Sequence, residues 1–449
     1  MSFVAVDLGA SSTRYTADMG KVMIVPNNIV AIQPGTCTDL IPDASDIESS
    51  LELTIERTDE KIETVQGDFF PTTVLVGQMA NRYSSSQQKP SGMSNKYTQK
   101  INYVDALLGA ALARVQLGAE EDIDLYLAVP PVEVKLATEA FREKLVGHFL
   151  VSFPKYLDGS EVKLNIRSVN VQPESYMSTV SFLFNLNGTV KDENKEYFNG
   201  KLLSIDIGAS TTDLVIVDNG KLLEKTGKTI KVGGNVAREY LKERVAEMYG
   251  FDIPDEDSER VMAEGRIKIG ASYEDATAII NQAKAELARS IIAQLQSYFS
   301  SVNIPLQTIS YMMVSGGGSM QSQYINDSKE VVSTSAPMSA FVTEQLQSIC
   351  NTVKVIPYGE DARLANVKGL FIRASLDKVI AAKRAQVQAA ANKAKLQAAT
   401  GSTNPVAQQA QAAASTASVT AGAGVVTQQA AQPAQAAQAV VNQTTATTI

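Results

Sequence analysis

Two stretches of the chain carry the same pattern of apolar and polar positions. Residues 3–16, FVAVDLGASSTRYT, and residues 202–217, LLSIDIGASTTDLVIV, each open with an apolar, β-branched run closed by an aspartate, Asp7 or Asp206. A glycine follows two residues on (Gly9, Gly208), and small hydroxyl residues lead into a second apolar run. Such runs bounded by turn residues predict buried strands, so each stretch predicts a hairpin with a polar tip. Elsewhere the pattern predicts strands within 21–34, 51–57 (LELTIER), 72–82, 123–129, 161–172 and 311–321, and a further strand opening 353–376. Helical spacing predicts helices over 102–117, 132–150, 173–184, 231–250 (opening at the glycine pair 233–234), 276–299 and the end of 353–376, with Pro130–Pro131 and Pro173 punctuating the chain. Residues 36–65 read as an acidic insertion around LELTIER and residues 84–100 as a surface loop.

Either tip alone would read as an ordinary turn. Repeated about two hundred residues apart, the pair predicts an internally duplicated α/β fold with a cleft between its halves. The chemistry of the tips suits a phosphate-bearing guest: hydroxyls and backbone N–H groups can meet phosphate oxygens, glycine permits close backbone approach, and an aspartate at a strand end can orient hydrated Mg²⁺. The Gly316–Gly318 triplet ending the 311–321 strand leaves a flat surface on which a ribose or purine can lie.

Composition narrows the field. A chain of 449 residues, 44% hydrophobic and 20% charged, is long enough for two or three globular domains. Its net charge of −8 argues against binding nucleic acid by bulk electrostatics, so DNA contact is expected only through a partner. Cys37 and Cys350 have no metal-ligand spacing and form no disulfide framework, and neither a signal peptide nor a membrane-spanning run is evident; a cytoplasmic protein is expected. The single histidine, His148, leaves no room for multi-histidine zinc chemistry. Beyond about residue 380 the chain turns Ala- and Gln-rich and predicts a low-complexity tail available to a partner: residues 378–395, with Lys378, Lys383, Arg384, Lys393 and Lys395 as the last charges, have helix-forming composition, and the uncharged 396–449 is expected to be disordered in the monomer.

Five segments resemble, in order, the motifs of the actin, Hsp70 and sugar-kinase superfamily: DLGASSTR (7–14) the first phosphate motif, QPESYMSTVSF (172–182) the first connecting helix, DIGASTTDLVIV (206–217) the second phosphate motif, SGGGSM (315–320) the adenosine motif and ANVKGLFI (365–372) the second connecting helix. Within that superfamily the chain is most similar to the ParM-type bacterial actins, through PES after the first domain, VGQMAN with the later Lys96–Tyr97, LAVPP and the GGN of 233–235. AEGRIKIG resembles an MreB-type segment with one residue fewer. Arg14 stands where many relatives carry a lysine, and the long tail is not a family feature.

The resemblance implies a duplicated, ribonuclease-H-like two-domain ATPase fold: domain I over 1–172 completed by 357–380, domain II over 173–356, and the tail over 381–449. It implies Asp7 and Asp206 holding Mg²⁺ through water, with Glu174 positioning the attacking water. Gly9, Ser11, Ser12, Thr13, Gly208, Ser210, Thr211 and Thr212 would cradle the phosphates of ATP or GTP, and Arg14 would offset their charge. Gly233, Gly234, Asn235, Glu264, Lys268, Gly316, Gly317, Gly318 and Met320 would surround the nucleoside. The function implied is a nucleotide-driven filament of self-associating subunits that segregates plasmid DNA through a ParR-type adaptor. A chromosomal filament for cell shape or envelope organisation, and a non-polymerising nucleotide-binding protein or small-molecule kinase on the same fold, are the alternatives.

Overall fold

The structure, a computed structural model, describes residues 2–9, 12–26, 29–32, 51–58, 72–76, 80, 103–153, 159–326, 328–359 and 361–399. The first half supplies β1 (Ser2–Leu8), β2 (Ser12–Asp18), β3 (Lys21–Pro26), β4 (Ile29–Ile32), β5 (Leu51–Arg57), β6 (Thr72–Val76), α1 (Tyr103–Leu117), β7 (Asp122–Val129), α2 (Val134–Leu145), β8 (Gly147–Ser152), β9 (Glu161–Pro173) and α3 (Glu174–Leu183). The second supplies β10 (Lys201–Ile207), β11 (Thr212–Asp218), β12 (Lys221–Leu222), β13 (Lys228–Ile230), α4 (Gly234–Tyr249), α5 (Asp255–Glu264), β14 (Arg266–Ile269), β15 (Ser272–Asp275) and α6 (Thr277–Val302). It continues with β16 (Tyr311–Ser315), β17 (Gln323–Ile325), β18 (Val331–Ser333), α7 (Met338–Gln347), β19 (Lys354–Pro357) and α8 (Ala365–Ala399).

The duplication read from the sequence is present in the sheets. One sheet runs β3-β2-β1-β7-β9-β8-β5-β6-β4 and the other β12-β11-β10-β16-β19, with β13 also on β11. In each, an antiparallel hairpin (β1–β2, β10–β11) joins parallel neighbours (β7 and β9, β16 and β19). The central strands are apolar throughout because layers cover both faces: Val4, Ala5 and Val6 are fully buried, as are Leu203, Ile205 and Ile207. Helix α1 buries ten consecutive residues, Val104–Ala113, and Gly109 lets its backbone come against Val6, where a Cβ would lie 3.0 Å from the valine side chain. On the other sheet α6 buries Ile280, Leu287, Ile291 and Tyr298 among others. At roughly 1.5–3 kcal/mol for each fully buried large aliphatic side chain, these faces supply most of the force holding the layers.

Helix α3 is buried along its whole length, yet four of its residues are Ser175, Ser178, Thr179 and Ser181. Three of the hydroxyls bond locally: Ser178 and Thr179 donate to the Ser175 carbonyl at 2.9 and 3.1 Å, and Ser181 to that of Ser178 at 2.8 Å. Ser204 of β10 donates to the Ser175 carbonyl at 2.8 Å. Helix α8 approaches on another side, where Gly369 sits so close to the Met177 carbonyl that any Cβ would collide with it.

Contacts group residues 1–183 and 192–371 into one compact unit, which holds both sheets, and residues 184–191 with those from 372 onward into a second. One sequence expectation shifts and two hold. The helix expected over 132–150 stops at Leu145, and 147–152 becomes β8, whose alternation pairs it with β9 beyond the positive-φ Gly147. The helix expected to open at the glycine pair 233–234 begins at Gly234, with Gly233 as its N-cap. Residues 378–395, read as helix-forming in composition, lie in α8, which runs to Ala399 with every side chain from 381 to 392 exposed; good intrinsic helix formers dominate it. The 84–100 loop, most of the 36–65 insertion, Lys96, Tyr97, Cys37 and residues 400–449 lie outside the described residues.

Candidate functional site

The strands that carry the two aspartates end at one cavity of about 800 Å³. Asp7, one residue from the end of β1, is 2% exposed, and Asp206, one residue from the end of β10, is 5% exposed; both line it. Crevices beyond the carboxyl ends of parallel strands are where open α/β sheets bind ligands. Pro173 ends β9 rather than opening a helix, and Glu174, 4% exposed, is the first residue of α3. The helix N-terminus stabilises its carboxylate, and its side chain lines the same cavity.

Each tip is shaped by contacts that admit no larger residue. A Cβ on Gly9 would strike the Arg14 guanidinium and lie 2.5 Å from the Ser12 carbonyl. Gly233 carries the start of α4 against the second tip, where a Cβ would meet Ala209 O and Thr211 N at 2.7 Å. Its neighbours cement the joint: Gly234 N donates to Gly208 O at 2.9 Å and Asn235 N to Ala209 O at 2.7 Å. Gly316 has φ 87°, and a Cβ there would collide with Asp206 Oδ1, while one on Gly318 would meet Ile207 Cγ2 at 2.5 Å. Only glycine allows this triplet to lie flat against the end of β10.

Of the residues singled out in the sequence, Asp7, Gly9, Ser12, Arg14, Glu174, Asp206, Gly208, Ser210 and Thr211 line the cavity, as do Gly234, Asn235, Gly316, Gly317, Gly318 and Met320. Ser11 lies outside the described residues. Thr13 and Thr212 are fully buried away from the cavity; strand alternation turns Thr13 from the side that presents Ser12 and Arg14, and the Thr212 hydroxyl donates to the Val232 carbonyl at 2.7 Å. Gly233 supports the tip from behind. Glu264 and Lys268 are not brought to the cavity. Glu264 pairs with Arg266 at 3.2 Å, while Glu259, Arg260, Met262 and Ala263 of the same helix form the wall; Lys268 stands exposed on the β14–β15 hairpin opposite Tyr273.

Several lining residues carried no readable signal because they come from distant elements. Arg238 of α4 pairs with Glu259 and donates to Asn235 Oδ1 at 2.5 Å. Arg363 grips Asp361 at 2.9 and 2.7 Å, which pulls the Asp361 carboxyl below its ordinary range against the opposing effect of burial. Asn366 donates to Asp206 at 2.7 Å. Lys284, 2% exposed in α6, donates to the carbonyl of Met320 and the hydroxyl of Ser335, both at 2.8 Å, and burial pushes its pKa down to about 8. The one legible hint was a lone lysine in the apolar stripe of α6.

Charge is nearly balanced. Arg14, Arg238, Arg260, Lys284 and Arg363 face Asp7, Glu174, Asp206 and Glu259, and Arg14 already pairs with Asp7 at 3.2 Å. The added anion attraction comes from the backbone: α3, α4 and α8 all begin at the cavity, their first residues or near neighbours lining it. Met262, Ala263, Leu287 and Met320 add apolar lining to the same cavity.

Residues 5–176 match the family model described as "Actin like proteins N terminal domain", and residues 204–324 match "Archaeal actin homologue MreB-like, C-terminal". Both halves of the chain thus match actin-like family models, and its fold is actin-like. Solved structures share the fold of this actin-like protein: the actin-like protein Alp7A at TM-score 0.64 and 19% identity, over 87% of this chain and 99% of that one. Bacillus thuringiensis ParM with ATP superposes at TM-score 0.56 and 19% identity, over 84% and 99%. The archaeal actin homologue Ta0583 in complex with ADP does so at 0.55 and 16%, over 83% and 99%. No curated protein matches the chain in sequence.

Proposed function

We propose that this actin-like protein binds ATP with Mg²⁺ in the cavity, hydrolyses it and couples nucleotide state to assembly of its own copies into filaments. The observation that carries the reading is the convergence of Asp7, Asp206 and Glu174 from two duplicated hairpins and a helix start onto one cavity. The ParM and Ta0583 structures solved with ATP and ADP support it.

The residues fit a magnesium nucleotide. Mg²⁺ keeps several waters and needs few protein oxygens, so two buried carboxylates acting through water suffice; among the described residues no cluster of three or more His, Cys, Asp or Glu forms a closed cage. When bound, the ion supplies positive charge that neutralises the phosphate oxygens. The tips at Gly9–Ser12 and Gly208–Thr211 bind and orient the phosphates through amides and hydroxyls, with Arg14 shared between Asp7 and the phosphate charge. Glu174 holds a water in line with the terminal phosphoryl group. Met262, Leu287 and Met320 enclose the nucleoside against Gly316–Gly318, and the near-neutral cavity leaves binding to geometry more than to bulk attraction.

The filament is read as a DNA-segregating one acting through a DNA-binding adaptor of the ParR type, because the net charge of −8 disfavours direct DNA contact. The test measures phosphate release and sedimentation of purified protein with ATP or GTP, each with and without Mg²⁺. The expected result is Mg²⁺-dependent phosphate release together with nucleotide-dependent pelleting. No release and no pelleting at any micromolar concentration would overturn the proposal.

A further inference from the structure

The two aspartates of the cavity are held differently. Across β1–β2, Asp7 stands opposite Arg14, but across β10–β11 the partner of Asp206 in register is Asp213, a like charge whose carboxylate accepts instead from Thr229. Asp206 is met from α8: Asn366 Nδ2 donates to Asp206 Oδ2 at 2.7 Å, while Asp206 Oδ1 lies against Gly316 so closely that a Cβ there would collide. Its carboxylate plane is therefore fixed from both sides.

Hydrogen-bond chemistry fixes the amide too. An ionised carboxylate only accepts, so the NH₂ group of Asn366 must face Asp206 and its Oδ1 must point elsewhere. Asn366 is 8% exposed and lines the cavity, and its Oδ1 is buried with no hydrogen-bond partner among the described residues. A buried acceptor without a donor is costly, so this amide is held here for what its donor does rather than for its own stability. What the donor does is fix a carboxylate placed to hold a metal, the part of an outer-shell partner.

We propose that Asn366 is a positioning residue for the metal: it holds Asp206 in the orientation that faces the hydrated cation. The inference rests on the magnesium–nucleotide reading of the cavity. It explains why an amide stands here: a carboxylate at 366 would put two like charges within hydrogen-bond distance, and the pair could not stay fully ionised.

The test uses the full chain and fluorescent ADP, titrated in EDTA and at graded Mg²⁺, with Mn²⁺ substituted for Mg²⁺ to record the paramagnetic spectrum of the bound ion. Asn366→Leu should raise the Mg²⁺ concentration needed for full affinity by about 10–100-fold, the scale of lost outer-shell partners, and alter the Mn²⁺ spectrum. Its affinity in EDTA and its thermal midpoint without nucleotide should stay near wild type. Asn366→Asp keeps the volume but turns the donor into an acceptor facing Asp206, and should show the same rise in the Mg²⁺ concentration needed. Variants whose Mg²⁺ dependence and Mn²⁺ spectrum match a Mg²⁺-dependent wild type overturn this inference alone, as does an equal loss of affinity in EDTA and in Mg²⁺. A wild type that binds no nucleotide overturns the reading of the cavity, and this inference with it.

Discussion

Glu174 is where a single side chain decides the chemistry. Its backbone starts α3 directly after Pro173 ends β9, so its carboxylate has little freedom and faces the cavity. Glu174→Ala should leave fluorescent-ADP affinity near wild type and slow phosphate release by about 10²-fold or more, as expected for loss of a water-orienting group; unchanged release would assign the water to another residue. Lys284 gives a different signature, in stability against pH. The unfolded lysine keeps its proton to about 10.5, and the folded one only to about 8. Between those values the unfolded state binds more protons, so this residue makes stability rise with pH from about 8 towards 10.5. Lys284→Met should remove that rise, measured as the difference in thermal midpoint between variant and wild type from pH 7 to 10; identical slopes would mean that the folded lysine holds its proton as an exposed one does.

At the scale of elements, the crossing of α3 and α8 sets how closely the layers around the site approach. Serines on α3 bond to their own helix and to β10, and Gly369 on α8 removes the side chain that would strike the Met177 carbonyl. Gly369→Ala has a propensity gain within the helix, but the backbone it meets cannot yield as a side-chain tip would. Overpacking of this kind costs about 1–3 kcal/mol, so a calorimetric midpoint lower by about 2 °C or more is expected. Because α8 also carries Asn366, the same variant should weaken nucleotide binding; a midpoint equal to wild type would mean that the helices shift apart freely.

For the whole molecule, the site is complete within residues 7–366, and α8 runs on past it to Ala399 with its side chains from 381 to 392 exposed on all sides. Nothing in that exposed stretch contributes to the cavity. Truncation after Lys378 should therefore leave nucleotide affinity and thermal midpoint unchanged, and limited proteolysis should cut beyond residue 380 first. Loss of nucleotide binding on truncation would show that the exposed stretch supports the fold.

The sequence by itself determined the duplication, the strands that end in Asp7 and Asp206, and the glycines of the tips. These are local events: a buried strand, a turn and a close backbone approach each leave a mark within a few residues. Short-range pattern also misled locally, as at 147–152, where tertiary pairing with β9 overrode an apparent continuation of helix. Only the tertiary structure decided which faces meet. It turned Thr13, Thr212, Glu264 and Lys268 away from the cavity and brought in Arg238, Glu259, Lys284, Arg363 and Asn366, residues whose role depends on helix rotation and on partners up to 160 positions away. No spacing along the chain encodes the bond between Asn366 and Asp206, because it exists only once α8 is packed against the end of β10.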